Sequence, residues 1–296
     1  MKRYNIAISA SKLYAQYALV MFVSFLKNHP DVEVHFYVFY IDHRVISEEH
    51  KYNKIIKKYN KFSFVHFVHV DYEKIKIVDN KKGWAIDLWC RWYLLDYLDE
   101  GIDRILILGV DTFFLGNIEL FYFQNMNKSY FSAASDMYVN TKNHVEIEKV
   151  IKREGLNDRT LYVNTDVLLL NLRELRKNLN LSKFLNLYHE KQFVAWDQDV
   201  INYCFGDKIS RVDFYLYNYF PNLGLKSIDD DKFIKNVKII HFAGGPKPWN
   251  VPRHEISKYS VIPTWWDTAK EIGISRSFTR EIKDVIKKLI HLVKKK

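Results

Sequence analysis

At 296 residues, with 48% hydrophobic and 16% aromatic residues, the chain holds enough apolar material for one substantial core or two closely fused ones, which excludes a small module stapled by metal or disulfides. Ten glycines, six prolines and 27% charged residues among so much Tyr and Phe exclude long flexible linkers and a disordered chain. Forty-five Lys and Arg against 35 Asp and Glu give a net charge of +10, which suits anionic partners such as nucleotides, nucleic acid or acidic lipid headgroups without choosing among them.

In chain order, Asn5 to Ser9 reads as a short strand, Tyr14 to Leu26 has helical apolar spacing, and Val32 to Ile41 has the Val, Phe and Tyr content of a buried strand, together a βαβ unit. Ile46 to Tyr59 spaces its apolar residues for a helix, Phe62 to Val70 returns to strand composition, Trp84 to Leu98 carries a helical stripe of Trp, Leu and Tyr, and Arg104 to Leu108 is a further strand. A mostly parallel sheet with covering helices is the expected α/β solution. Tyr130 to Ala134 and Val163 to Leu170 follow as strands, with helices near Glu146 to Arg153, over Leu172 to Asn178 and beyond Lys183. Val212 to Tyr219 and Val237 to His241 look like strands, and the chain from Thr279 is helical. Asp229, Asp230 and Asp231 read as a solvated turn.

Cys90 and Cys204 lack the neighbours of a redox or zinc pair and read as two buried thiols in a reducing compartment. The apolar stretch Ile6 to Ile8 is too brief for a signal peptide or membrane span, so a cytoplasmic location is expected. No glycine-rich dinucleotide turn and no GxxxxGK run exists, so phosphates of a bound nucleotide must be held by other means.

Polar residues gather at four places. The apolar run Arg104 to Leu108 ends in Gly109 and delivers Asp111 to the carboxyl edge of the sheet, where open α/β sheets bind ligands; capping the following turn is the plainer role. Asn164 and Asp166 share one side of an apolar element, as a wet pocket or a strand edge would have it. Asp197 and Asp199 open a helix, where capping accounts for one acid more readily than two. In His241-Phe242-Ala243-Gly244-Gly245-Pro246-Lys247-Pro248-Trp249 a strand delivers a histidine and a stiff loop presents one lysine. Histidine can ligate a divalent ion and lysine can neutralise a phosphate; a core histidine and a solvated turn lysine are the alternatives.

Four segments, HFAGGPKPW at 241 to 249, DQDVIN at 197 to 202, LILGVDTFFLGNIELF at 106 to 121 and NTDVLLLNL at 164 to 172, resemble in their order the family 8 retaining glycosyltransferases, the group that includes glycogenin and bacterial lipopolysaccharide galactosyl- and glucosyltransferases. The resemblance covers roughly Asn5 to Trp249 and implies a GT-A-type fold over residues 1–250, a mixed, mostly parallel sheet flanked by helices, with an aromatic and basic C-terminal extension over 251–296. It implies a UDP-hexose donor, galactose or glucose, a saccharide or lipid-linked saccharide acceptor such as a lipopolysaccharide precursor, and a divalent cation, Mn2+ or Mg2+. By position, Asp111 matches the second acid of the DxD motif and His241 the histidine completing the metal site. Lys247 matches the lysine of HxxGxxKPW, which also contains Gly244, on the donor pyrophosphate. Arg91 resembles the donor-contacting arginine and Asp136 an acid near the sugar hydroxyls. Asp197 and Gln198 match the pair beside the anomeric centre, Asn164 the asparagine of the NxG motif, and Tyr14 the aromatic residue near the uracil.

Three positions depart from the pattern: Gly109 replaces the first DxD acid, Asp166 stands where glycine is usual, and Ser11-Lys12 replace an acid before Tyr14. Asp166 would partly replace the missing carboxylate if its loop bends inward. The departure at Gly109 also motivates a noncatalytic partner protein as a rival. A nucleic-acid-binding protein is not expected, because the charge gathers at one end rather than in a stripe interleaved with stacking rings. From Arg280 to Lys296 there are seven basic residues and two acids around an apolar stripe, the pattern of a helix lying on an anionic membrane surface or packing on the protein. Tyr259, Val261, Ile262, Trp265 and Trp266 would add interfacial aromatics, giving peripheral attachment to the inner face of the plasma membrane.

Overall fold

The computed structural model of the chain describes residues 1–76, 86–141, 145–156, 162–221, 234–252, 255–256 and 261–275. In the amino-terminal half, runs of Val, Ile, Phe and Tyr form β1 (Arg3–Ser9), β2 (Glu33–Tyr40) and β3 (Ser63–His69), which pair in parallel. Every residue of β1 from Tyr4 onward is buried, as a strand covered on both faces requires. β4 (Arg104–Leu108) joins the other side of β1 in parallel. The sheet then changes direction: β7 (Val163–Asn171) runs antiparallel to β4, β6 (Phe131–Ser135) antiparallel to β7, and β8 (Ile209–Val212) parallel to β6. The order is β3-β2-β1-β4-β7-β6-β8, with β5 (Thr112–Phe114) and β9 (Ile239–His241) forming a separate antiparallel pair. The architecture is the mixed, mostly parallel α/β sheet expected of a GT-A fold.

One face of the sheet is covered by α1 (Lys12–Asn28), α2 (Glu49–Tyr59) and the β5–β9 pair. The unbroken buried run Ala18 to Leu26 explains why α1 is apolar nearly all round. Beyond β6, α3 (Val145–Arg153) belongs to a small cluster with Val139 and Tyr162. The opposite face carries the 3-10 helix Ile86–Tyr93, α4 (Leu172–Asn178), α5 (Leu181–Glu190) and α6 (Trp196–Phe205).

Three expectations need correction. The stripe over Trp84 to Leu98 is, where described, mainly a 3-10 helix followed by one α-turn, Leu94–Tyr97, because its three-residue period lines Trp89 and Trp92 up against Phe184 of α5. Val212 to Tyr219 is not one strand: β8 ends at Val212, Asp213 caps the backbone N–H of Tyr215, and a helical turn Phe214–Tyr217 precedes a single bridge from Tyr219 to Ile240. Trp265 and Trp266 are not interfacial. They lie at 0% and 5% exposure on α7 (Ile262–Glu271), which packs on α1, and Val261 and Ile262 are buried with them. Trp265 meets Tyr17 and Trp249, while the Trp266 indole donates to Pro248 O at 3.1 Å, so α7 supports the 241–249 loop from below.

Among the described residues no helix is long and apolar enough to cross a membrane. Asp229 to Asp231, Tyr259 and the expected helix from Thr279 lie outside the described residues. Trp265→Ala should cost about 3–5 kcal/mol in denaturant unfolding, the range for a fully buried tryptophan; a loss of less than about 1 kcal/mol would restore the interfacial reading.

Candidate active site

Strand ends and one strand pair assemble the site. β4 stops at Leu108, and the turn Gly109-Val110-Asp111 is closed by the Thr112 N–H and hydroxyl, both donating to Gly109 O at 3.2 and 2.9 Å. The β5–β9 register sets Thr112 opposite His241, and the Phe242 N–H donates to Asp111 O at 2.9 Å. Asp111 and His241, 130 positions apart in the chain, are thereby side by side, with Oδ1 3.5 Å from Nε2. Asp166 on β7 brings its Oδ2 to 3.6 Å from the same nitrogen. One ligand atom from each of the three lies within 4.8 Å of the others.

The histidine is prepared for ligation. Asn218 spends its Nδ2 on Asn164 Oδ1 at 3.1 Å, so its Oδ1 accepts from His241 Nδ1 at 3.1 Å and leaves Nε2 with a lone pair facing the carboxylates. Carboxylate oxygens with one imidazole nitrogen are a donor set that fits a hard to borderline divalent ion such as Mn2+ or Mg2+. Burial works to raise the Asp111 carboxyl, yet the Lys247 ammonium beside it holds it well below the usual carboxylate range. Lys247 donates to Asp111 Oδ2 and, at 2.7 Å, to Phe242 O.

The loop that presents Lys247 is held at both ends. Gly244 has φ +72°, and a Cβ there would lie 2.6 Å from the hydroxyl of Tyr138, which donates to Ala243 O at 3.0 Å, so glycine is required twice over. Trp249 is stacked on Tyr17 with ring centres 4.3 Å apart and meets Tyr14 edge-on at 6.0 Å. Tyr14, in the first turn of α1 after β1, therefore stands beside the loop at the same edge of the sheet.

Next to these groups lies a buried ion pair. Arg91, 2% exposed, donates through Nε at 2.9 Å and Nη2 at 2.6 Å to Asp197 Oδ2, and through Nη1 at 3.1 Å to Asp166 Oδ1. Trp92 Nε1 adds a third bond to Asp197 Oδ2 at 2.8 Å. Burial alone would weaken the guanidinium's hold on its proton, but Asp197 and Asp166 outweigh it and strengthen that hold; burial pushes the Asp197 carboxyl up against the pull of Arg91. Gln198 Oε1 accepts from Asn164 Nδ2 at 3.1 Å and from the Thr165 N–H at 3.3 Å, while its Nε2 donates to Asp136 Oδ2 at 3.0 Å. Asn164 also donates to Asp136 Oδ2 at 3.2 Å, and Asp136 Oδ1 accepts the Tyr138 and Val139 N–H groups. The two acids of α6 divide their work. Asp199 holds the Val194 and Ala195 N–H groups at 2.8 and 2.7 Å and the Tyr162 hydroxyl, while Asp197 has no capping bond.

Asp111, His241 and Lys247 thus meet at one point. Arg91, Asp197, Gln198, Asn164 and Asp136 are joined to them through Asp166 and Asn218, and Tyr14 and Gly244 through the loop. Asp166 faces the cluster from a stretch of β7 that keeps its pairing with β4 through Val167 while its register against β6 shifts between Val163 and Leu168, so a local irregularity of the strand accompanies its placement. The sequence pattern does not single out Asn218, because its segment reads as a strand; its signal is one amide within the aromatic-rich run Phe214 to Phe220. A cavity of about 430 Å3 beside β3, lined by Tyr37, His66, His69 and Asp99 among others, shares no residue with this cluster.

The mixed, mostly parallel α/β sheet, with a carboxylate, imidazole and ammonium cluster at its strand ends, is a GT-A-like fold that gathers its polar groups where open α/β sheets bind ligands. The chain belongs to glycosyl transferase family 8, whose model matches residues 5–251. Among solved structures it is similar to the galactosyltransferase LgtC in complex with donor and acceptor sugar analogues (18% identity, TM-score 0.74, covering 92% of this chain and 97% of that one). It is also similar to the bifunctional glycosyltransferase WbbM (13%, TM-score 0.68, 96% and 51%) and the glycosyltransferase GlyE of Streptococcus pneumoniae TIGR4 (15%, TM-score 0.65, 91% and 60%). No curated protein matches the sequence.

Because Arg91 removal strands a buried Asp197 carboxylate, Arg91→Ala should destabilise the fold by about 3–5 kcal/mol. Denaturant unfolding of Arg91→Ala beside the double variant Arg91→Ala/Asp197→Ala should show the double variant to be the more stable of the two; equal stability would mean the pair carries no such penalty.

Proposed function

We propose that the chain is a retaining hexosyltransferase that moves galactose or glucose from a UDP-hexose to a saccharide or lipid-linked saccharide, a precursor of lipopolysaccharide or another surface glycan. The observation that carries this reading is the convergence of Asp111, His241 and Lys247 at one strand edge, beside the buried Arg91–Asp197 pair. Transfer breaks the bond between the anomeric carbon and the diphosphate, so most of the barrier is charge developing on the leaving oxygens. Asp111 and His241 would hold a divalent cation, which when bound supplies Lewis-acid neutralisation of that charge. Lys247, stiffly presented and already facing Asp111, is the cation that this chain aims at the departing diphosphate. Arg91 orients the donor, Tyr14 flanks the base beside Trp249, and the locked amides of Asn164 and Gln198 with Asp136 read the sugar hydroxyls.

Asp197 is the acid nearest in role to a nucleophile, but three hydrogen bonds converge on its Oδ2, two from Arg91 and one from Trp92. A carboxylate so engaged is a weak attacker, and the amide of Gln198 is weaker still. Retention through same-face approach, with the leaving phosphate as base, is therefore preferred to double displacement.

Incubation with UDP-galactose and UDP-glucose, with and without Mn2+, should release UDP from one of them in a Mn2+-dependent manner. Lys247→Ala should lower that rate by about 100-fold or more. Folded protein that binds UDP-hexose yet neither hydrolyses nor transfers it would be a noncatalytic nucleotide-sugar binder. For residues 280–296 the basic apolar stripe supports attachment to an anionic cytoplasmic membrane surface. Removing the chain after Phe278 should abolish binding to phosphatidylserine-containing vesicles while leaving donor hydrolysis intact; undiminished vesicle binding would overturn the attachment.

A further inference from the structure

We propose that Asp166 is a metal ligand that takes the place of the missing DxD acid, the carboxylate having crossed from the end of β4 to the neighbouring strand β7. This rests on the metal-assisted reading above. β4 and β7 are antiparallel with Leu108 opposite Val167, and the ladder runs one step further, with the Gly109 N–H donating to Asp166 O at 2.9 Å. Directly opposed residues of an antiparallel pair send their side chains to the same face. An acid at either position therefore addresses the same space.

That space admits one carboxylate. A Cβ added to Gly109 would lie 3.0 Å from Asp166 Cβ, 3.1 Å from its Cγ and 2.7 Å from Asp111 Oδ1. Glycine at 109 is thus the steric counterpart of aspartate at 166, and the two departures from the family pattern form one exchange. The Asp166 carboxylate is also oriented for the task. Arg91 Nη1 holds Oδ1 at 3.1 Å, while Oδ2 is turned to His241 Nε2 at 3.6 Å, alongside Asp111. Arg91 engages only Oδ1 of Asp166 and gives two further bonds to Asp197, so Oδ2 is left to face the cluster. The Asp166 side chain is 33% exposed, against 11% for Asp111 and 2% for His241, so it forms the open flank of the cluster.

Mn2+ binding in the presence of UDP, followed by electron paramagnetic resonance of the free ion, tests the exchange independently of turnover. The parent should take up Mn2+, and the isosteric Asp166→Asn should weaken uptake by at least about tenfold. Asp166→Gly should be equally weak, and adding Gly109→Asp to it should return affinity to within a few-fold of the parent, whereas Gly109→Asp alone should bind poorly. Thermal unfolding of each variant separates a lost ligand from a lost fold, and the restored double variant is itself proof of folding. Parent-like Mn2+ affinity in Asp166→Asn, or no gain from Gly109→Asp in the Asp166→Gly background, overturns the exchange alone. A parent that takes up no Mn2+ with UDP overturns the metal-assisted reading on which it rests.

Discussion

A guanidinium removed from water must be met by acids, and the buried Arg91 imposes that requirement on three separate parts of the chain. It is presented by a 3-10 helix, answered by Asp197 from α6 and by Asp166 from β7, and braced by Trp92 on the same Asp197 oxygen. A lone charge in such surroundings would cost several kcal/mol, so the three elements cannot drift apart without exposing one. That constraint fixes the floor of the site. Everything else at the strand ends is placed relative to it.

A chain of amides sets the opposite wall. Asn164 accepts from Asn218 and from the Asp166 N–H and donates to Gln198 and Asp136; Asn218 in turn accepts from His241. Each amide has its oxygen and nitrogen assigned by a neighbour, so the tautomer of one imidazole depends on residues from four segments. The charges are graded to match. Asp111, Asp166 and Asp197 face Arg91 and Lys247, and His241 lies between the first two acids. Three carboxylates against two cations leave the cluster with an excess of negative charge, which favours a cation there over an anion.

The loop carrying Lys247 illustrates how far support extends from the chemistry. Trp249 packs against both Tyr17 and Trp265, and Trp266 bonds Pro248, so α1 and α7 hold a loop whose working residue is an ammonium. Residues that read as membrane anchors by composition serve instead as this foundation. Tryptophan suits both settings, an apolar body with one polar handle, and only the neighbours decide between them.

Much of the framework was legible in local pattern: β1, α1, β2, β3 and β4 follow from apolar runs and spacing, and α4 was expected at its observed ends. The motif residues were legible too, because a strand-tip acid, a histidine after a strand and a lysine between prolines are each unusual locally. Where periodicity misled, tertiary partners overrode it: the Trp-rich stripe became a 3-10 helix under α5, and Asp213 broke what looked like a strand ahead of Asn218. Sequence by itself determined which groups were available and which strands would carry them, since those depend on near neighbours. Only the tertiary structure decided that Gly109 and Asp166 oppose each other and that Asp111 faces His241. Strand pairing joins residues with no local relation, and register leaves no trace in either segment alone.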